Sequence, residues 1–411
     1  MDNRSLQPEY MSQFQCIGAE CEDTCCSRWN ISVDRETFRK YEKVKDPEMS
    51  SRLSEGVILK EVEARRNEQY ATMKLHPQTG ACAFHDQGLC AIQLKLGEAY
   101  LSPTCATYPR KISEIDGLQE ISVDLSCPEA ARLALLNPEG IAFTYMDRHE
   151  SPNTLWQARL STKAHGIPRT LTYVQELRAF SIEIIQDRRY TLEHRLMLLA
   201  VFADQVDEAV ESNPAIDVGL LIERFRAEVE QGGEMTNVAV FPVNHVFQLK
   251  LLNGILLHVI ENNLGVNVRY KECLATYLQG IQRIEHGESK DILSLYEAGY
   301  KACYESFLHD KQYVLENYLV NTIFSTVFPA SVQGKMFDQV YYLGVIYSLI
   351  RMQIIGMFLQ QHQLGLDDVV KLIQSFTKNF EHSPKFKKEI LNKCVQEEAT
   401  TLGHLSLIVM Y

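Results

Sequence analysis

Residues 16–33 read CIGAECEDTCCSRWNISV, with cysteines at positions 16, 21, 25 and 26. The spacing C-x4-C-x3-C-C is too tight for a core-building element. It describes a loop folded back on a ligand, closed by Trp29 and a short strand through Ile31 and Val33. Further along, residues 80–92 read GACAFHDQGLCAI and set Cys82 and Cys90 on either side of a turn marked by His85, Asp86 and Gly88. That pattern predicts a hairpin able to present two thiolates together. Residues 101–110, LSPTCATYPR, carry Cys105 between Pro103 and Pro109, which predicts extended backbone on both sides of the thiol. Cys127 comes last, ahead of Pro128 and a helical stretch over 129–136. Eight of the eleven cysteines therefore fall within residues 16–127, and only Cys273, Cys303 and Cys394 follow, singly. Four thiolates around one tetrahedral ion or one iron–sulfur cube tie distant loops together, so metal binding is the expected reason for the cluster. Whether the eight serve one site or two stays open.

The rest of the composition bounds what such a module can belong to. A chain of 411 residues, 45% hydrophobic and 23% charged, is of ordinary globular make-up and long enough for two or three domains. The net charge of −12 disfavours a broad nucleic-acid face, which needs clustered Lys and Arg, and suits a partner that presents lysines. The first ten residues are polar and lack the apolar core of a signal peptide, so the expected location is the cytoplasm, where thiols stay reduced. The vicinal pair Cys25–Cys26 points the same way, because adjacent cysteines bridge each other only with strain. The most apolar run, 340–359, has Arg351 at its middle, which predicts a buried helix rather than a membrane span.

Asp34 can cap a helix with Phe38, Tyr41 and Val44 facing inward, and the charged run 60–69 reads as a solvated helix face. From about Thr170 the apolar period becomes helical: Leu171, Val174, Leu177 and Phe180 recur at three and four. Further helices are expected around 195–208, 246–260, 270–284, 292–307, 313–328, 340–359, 366–380 and 384–398, with loops at 212–214 and at Gly232–Gly233. The fold expected is mainly α: a loop-rich, cysteine-bound metal module over 1–130, docked on an all-helical domain over 131–411. Cys273, Cys303 and Cys394 read as small core residues, and Tyr341, Tyr342 and Tyr347 as core rather than a cofactor box. His85 reads first as a solvent-exposed turn histidine and second as a ligand. Tyr108 and Arg110 read as a packing tyrosine and a surface arginine, or as supports of the metal site.

The two blocks, Cys16…Cys21…Cys25-Cys26 and Cys82…Gly88-Leu89-Cys90…Cys105…Tyr108-Pro109-Arg110, resemble the flagellin lysine-N-methylase family and a broader group of small zinc- or iron-chelating cysteine-rich proteins. The resemblance covers roughly residues 10–130. It implies an enzyme that methylates surface lysines of flagellin with S-adenosylmethionine and carries an associated iron–sulfur cluster. On that footing the expected ligands are Cys21, Cys25, Cys26, Cys82, Cys90 and Cys105, with Cys16 and Cys127 at the edges of their blocks. The expected cofactors are S-adenosylmethionine and a [4Fe–4S] cluster, with zinc as the alternative metal. A different class stays open beside it, a non-enzymatic binder of flagellin or another protein built on a structural zinc module. A thiol redox sensor is the third.

Methyl transfer from a sulfonium to a lysine nitrogen is a polar displacement that requires a neutral amine. With a lysine pKa near ~10.4, only about one in a thousand is neutral at physiological pH, so favouring that form costs roughly 4 kcal/mol. An acidic, tyrosine-lined or apolar pocket supplies part of this. No residue is marked as the base, and no G-x-G-x-x-G follows a predicted strand. The C-x3-C-x2-C loop of radical S-adenosylmethionine enzymes is absent as well. The nearest fragment, Cys21…Cys25-Cys26, lacks its third spacing. A cube held by three cysteines would leave one iron able to position the donor's amino and carboxylate groups.

Overall fold

The computed structural model describes residues 4–148, 151, 153–233, 243–262, 267–285, 292–330, 334–381 and 384–411. The chain is mainly helical and divides into two compact units. The first comprises residues 1–131 and 143–160, the second residues 132–142 and 161–411.

The first unit holds more regular structure than a loop-rich module. Its largest element is a five-stranded mixed sheet in the order Trp156–Leu160, Arg110–Ile115, Leu118–Val123, Arg4–Pro8, Phe143–Asp147. The two central strands form a hairpin whose Asp116 and Gly117 take φ of 50° and 89°. That is the left-handed pair a two-residue hairpin turn demands. The polar start of the chain is no loose end: Arg4–Pro8 lies inside the sheet, parallel to Leu118–Val123 and antiparallel to Phe143–Asp147.

A smaller sheet of Ser32–Val33, Ala71–Met73 and Val57–Leu59 lies among short helices. The helix Arg35–Tyr41 starts as expected, with the Asp34 carboxylate accepting from the N–H of Glu36 and Thr37. Asp46 caps Pro47–Gly56 in the same way. Phe84, Tyr41, Met49, Met73 and Ile92 are buried in the core of this region. Gly56 lies so close to the Phe84 ring that an added Cβ would overlap it. The charged stretch 60–69 is not a helix beyond the single turn Val62–Ala64, because Lys60 and Tyr70 are tied by a backbone hydrogen bond across it.

Among the described residues the second unit is wholly helical. Its central element is the helix Met336–Gln361, long and apolar enough to cross a membrane but largely buried among its neighbours. Arg351 at its middle is 2% exposed and donates to the Glu193 carboxylate at 2.9 Å. Tyr347 donates to the same Glu193 oxygen at 2.7 Å. Burial works against the Glu193 carboxylate, but the Arg351 charge and the Tyr347 hydroxyl outweigh it and hold its pKa below the usual range. The helix begins where the Asp207 carboxylate, from the helix Leu192–Ser212, accepts from the N–H of Met336 and Phe337 at 2.9 and 2.8 Å. Gly356 lets the helix Val268–Glu285 cross at Gly280, where a Cβ would overlap the Gly356 carbonyl. Two helices, Val218–Glu230 and Leu402–Val409, go beyond those the periodicity had marked. Tyr341 and Tyr347 are buried core residues, and Tyr342 is partly buried.

Candidate functional site

The short elements of the first unit bring the thiols of its cysteine blocks into one neighbourhood. His85–Asp86 pairs with Leu89–Cys90, placing His85 opposite Cys90, and the turn uses Gln87 and Gly88 at φ of 47° and 84°. Gly88 also packs against the Ala19 backbone, so this hairpin touches the loop of the first cysteine block. The blocks are stitched directly as well. Cys82 N–H donates to the Cys26 carbonyl at 2.8 Å, and Ser27 bridges Ala81. Trp29 folds back to donate from Nε1 to the Cys25 carbonyl at 2.5 Å and packs its ring on Tyr108.

Cys105 is not on extended backbone. Pro103 opens the helix Pro103–Thr107, with Ser102 as its cap, and Cys105 lies on that helix. Proline is tolerated at a helix start because the N–H it lacks has no partner there. The helix turns Cys105 toward the core that Cys82 also joins, with Cys26 and Cys90 packed against it. Burial, with added repulsion from Cys90, Cys82 and Cys25 and opposition from Ser102, pushes the Cys105 thiol up to about 12. Cys82 is raised by burial, then by Cys90 and Cys25, partly offset by a backbone hydrogen bond. A second group forms around Cys127, pushed up to about 12 by burial, with Cys21 and Cys25 adding to it. Cys21 is raised likewise by burial, then by its acidic neighbours and Cys25, while its Sγ donates to the Asp23 carbonyl at 3.2 Å.

Cys25 is exposed, and its charge bears on Cys82 and Cys105 as well as on Cys21 and Cys127. Cys16 is exposed, and Cys26 reaches Cys82 through its backbone. All eight are free thiols. The single cysteines of the helical unit are buried, as their positions predict.

The donor set fits a thiophilic metal in kind. Clustered neutral thiols in a shared apolar setting gain little from one another, whereas a metal turns them into mutually compensated thiolates. A second observation agrees: His85 Nε2 is buried with no hydrogen-bond partner among the described residues, although the histidine lies between Cys82 and Cys90. The turn histidine is therefore not simply solvated. No three His, Cys, Asp or Glu side chains already meet around a single point among the described residues. Loading therefore needs side-chain rotations, most easily in the exposed first block. Tyr108 is a packing residue whose hydroxyl shares a hydrogen bond with Ser126 Oγ at 3.0 Å, and Arg110 lies over the Phe14 ring at 5.2 Å.

One feature went unmarked in the sequence. A cleft of about 570 Å³ opens between the start of the helix Arg35–Tyr41, the loop at Asn67–Glu68, the start of the Cys105 helix and residues 154–156. Its residues are scattered over four segments, and their spacing carries no signal.

The profile of the FliB lysine N-methylase C-terminal domain matches residues 178–408, most of the helical unit. The Lysine-N-methylase of Salmonella choleraesuis (strain SC-B67) is 24% identical over 395 residues, covering 93% of each chain. The same figures hold for the Lysine-N-methylase of Salmonella typhimurium (strain LT2). The Flagellar biosynthetic protein FliU of Salmonella muenchen is 31% identical over 137 residues, covering 33% of this chain and 79% of its own. No solved structure matches. The chain belongs to the FliB lysine N-methylase family.

Proposed function

We propose that this protein is a cytoplasmic protein-lysine N-methyltransferase that modifies surface lysines of flagellin, with S-adenosylmethionine as methyl donor. The observation that carries this reading is coverage: relatives named lysine-N-methylase align along 93% of the chain, across both units. A relative named as a flagellar biosynthetic protein supports the flagellar substrate, and the net charge of −12 suits a partner that offers lysines.

The N-terminal thiols, in this reading, hold a [4Fe–4S] cluster, with zinc as the alternative. Cys82, Cys90, Cys105 and Cys26 form the better enclosed group, Cys21 and Cys127 the second, and the exposed Cys25 and Cys16 complete the set. When bound, iron–sulfur supplies a Lewis-acidic centre able to hold chelating groups of an amino acid, and zinc supplies cross-linking alone. The chain's own share is positional. The hairpin fixes Cys90 and His85, the capped helix fixes Cys105, and Trp29 with Tyr108 shields the Cys25 backbone. In the transfer the lysine nitrogen forms the new C–N bond while the sulfonium C–S bond breaks to a neutral thioether, and the amine's proton leaves to solvent or a basic group.

The test is methylation of purified flagellin by anaerobically prepared protein, read by mass spectrometry as 14 Da increments on lysine, roughly one CH₂ each. Increments that need both the protein and S-adenosylmethionine support the reading. Flagellin that binds yet gains no mass would favour the non-enzymatic binder.

A further inference from the structure

The thiol neighbourhood accounts for one side of the Cys105 helix, and the cleft of about 570 Å³ lies against its start, at Pro103 and Thr104. Its size suits a ligand of nucleoside dimensions rather than one side chain. Its lining carries both signs of charge: Arg39 and Glu68 both contribute, and among the described residues neither side chain has an ion pair or hydrogen bond. Asp34 adds a third charge. Its Oδ2 caps the helix, while its Oδ1 is buried without a partner among the described residues. Leu155, 44% exposed, and Trp156 supply an apolar wall, and the Thr104 hydroxyl is fixed by donating to the Ser32 carbonyl at 3.2 Å. The loop that carries Glu68 is held in place by the hydrogen bond from Arg35 N–H to the Asn67 carbonyl at 2.8 Å.

A cationic side chain alone would call for carboxylates without the guanidinium. Separate anionic and cationic anchors beside an apolar wall call for a zwitterion with a large flat apolar part. We propose that this cleft binds the methyl donor as an adenosyl amino acid, an inference that rests on the methylase reading above. The ligand's α-carboxylate pairs with Arg39, its α-ammonium lies toward Glu68 and Asp34, and its base lies against Leu155 and Trp156. The donor's charged groups are then held by side chains rather than by an open iron of the cluster, whose share becomes that of a cross-link beside the cleft.

The test is calorimetric titration of S-adenosylhomocysteine, the stable product, into the anaerobically purified full chain. Arg39→Glu and Glu68→Lys change exposed positions, so circular dichroism should show an unaltered fold, and Lys271→Glu in the helical unit serves as control. Each cleft variant is expected to bind about tenfold or more weakly, the loss of one charge-assisted contact, with the control unchanged. If the wild type binds and both cleft variants bind equally well, the cleft is not the donor site, while the methylase reading stands. If the wild type binds no S-adenosylhomocysteine, both fall. Cleft variants that keep S-adenosylhomocysteine but lose a lysine-bearing flagellin peptide would give the cleft to the substrate and overturn the proposal.

Discussion

Within the helical unit, buried charges are answered by protein groups. Glu193 meets Arg351, Glu316 meets Arg188 and Arg195, and Asp207 takes two backbone N–H groups. In the N-terminal unit the clustered polar groups meet chiefly one another. Burial, with a lesser contribution from neighbouring thiols, raises the pKa of Cys105 and Cys82, and His85 Nε2 has no partner among the described residues. The strands around them are two or three residues long, too short to hold a sheet unaided. The helical unit's order is specified by packing, while in the proposed reading the thiol neighbourhood of the other, beside its own core, is completed by a bound metal.

Metal removal should separate the two most sharply. Stripping the protein with a chelator should abolish amide protection around residues 16–105 in hydrogen exchange, while 192–212 and 336–361 stay protected. Structural metal binding is worth on the order of 10 kcal/mol in small modules. Uniform loss across both units would break the comparison. Arg351→Leu comes next. Leaving Glu193 buried and unpaired should cost about 3–5 kcal/mol, seen as a lowered Tm of the helical unit.

Gly280→Ala asks whether the helix crossing is as close as it looks. A methyl group facing the Gly356 carbonyl should cost about 1–3 kcal/mol by denaturant unfolding, with the metal content of the N-terminal unit unchanged. Smallest is Asp207→Asn, which keeps an acceptor but loses its charge at the start of the central helix. About 1 kcal/mol or less is expected in the same titration.

The helical unit was legible because burial writes itself into period. Leu171, Val174, Leu177 and Phe180 announce an inward face, and Arg351 announces a buried partner without saying that it is Glu193. Short helices carry weaker signals, and Leu402–Val409 is too apolar all round to show a face. In the N-terminal unit, Asp34 gave the helix cap and Gly88 the hairpin between Cys82 and Cys90. The sheet was missed although Asp116-Gly117 is a hairpin-turn signal, because the apolar residues around it, Ile112, Ile115, Leu118 and Ile121, recur at three rather than two. Its other strands, Arg4–Pro8 and Trp156–Leu160, pair with that hairpin from far along the chain. Pro103 bars a helix only from its interior, and here it is a helix's first residue. The cleft was invisible, since no local pattern links Arg39, Glu68, Thr104 and Trp156.

The measurement that tests the central claim most directly is iron, sulfide and zinc analysis of anaerobically purified protein, beside its visible absorption spectrum. The account expects a brown protein with about four irons and four sulfides per chain. Colour and metal should both be lost in Cys82→Ser, Cys90→Ser and Cys105→Ser, while Cys273→Ser keeps both. A colourless protein with one zinc would keep the completed module but remove the cluster. Protein that is well folded and free of any metal would contradict the account.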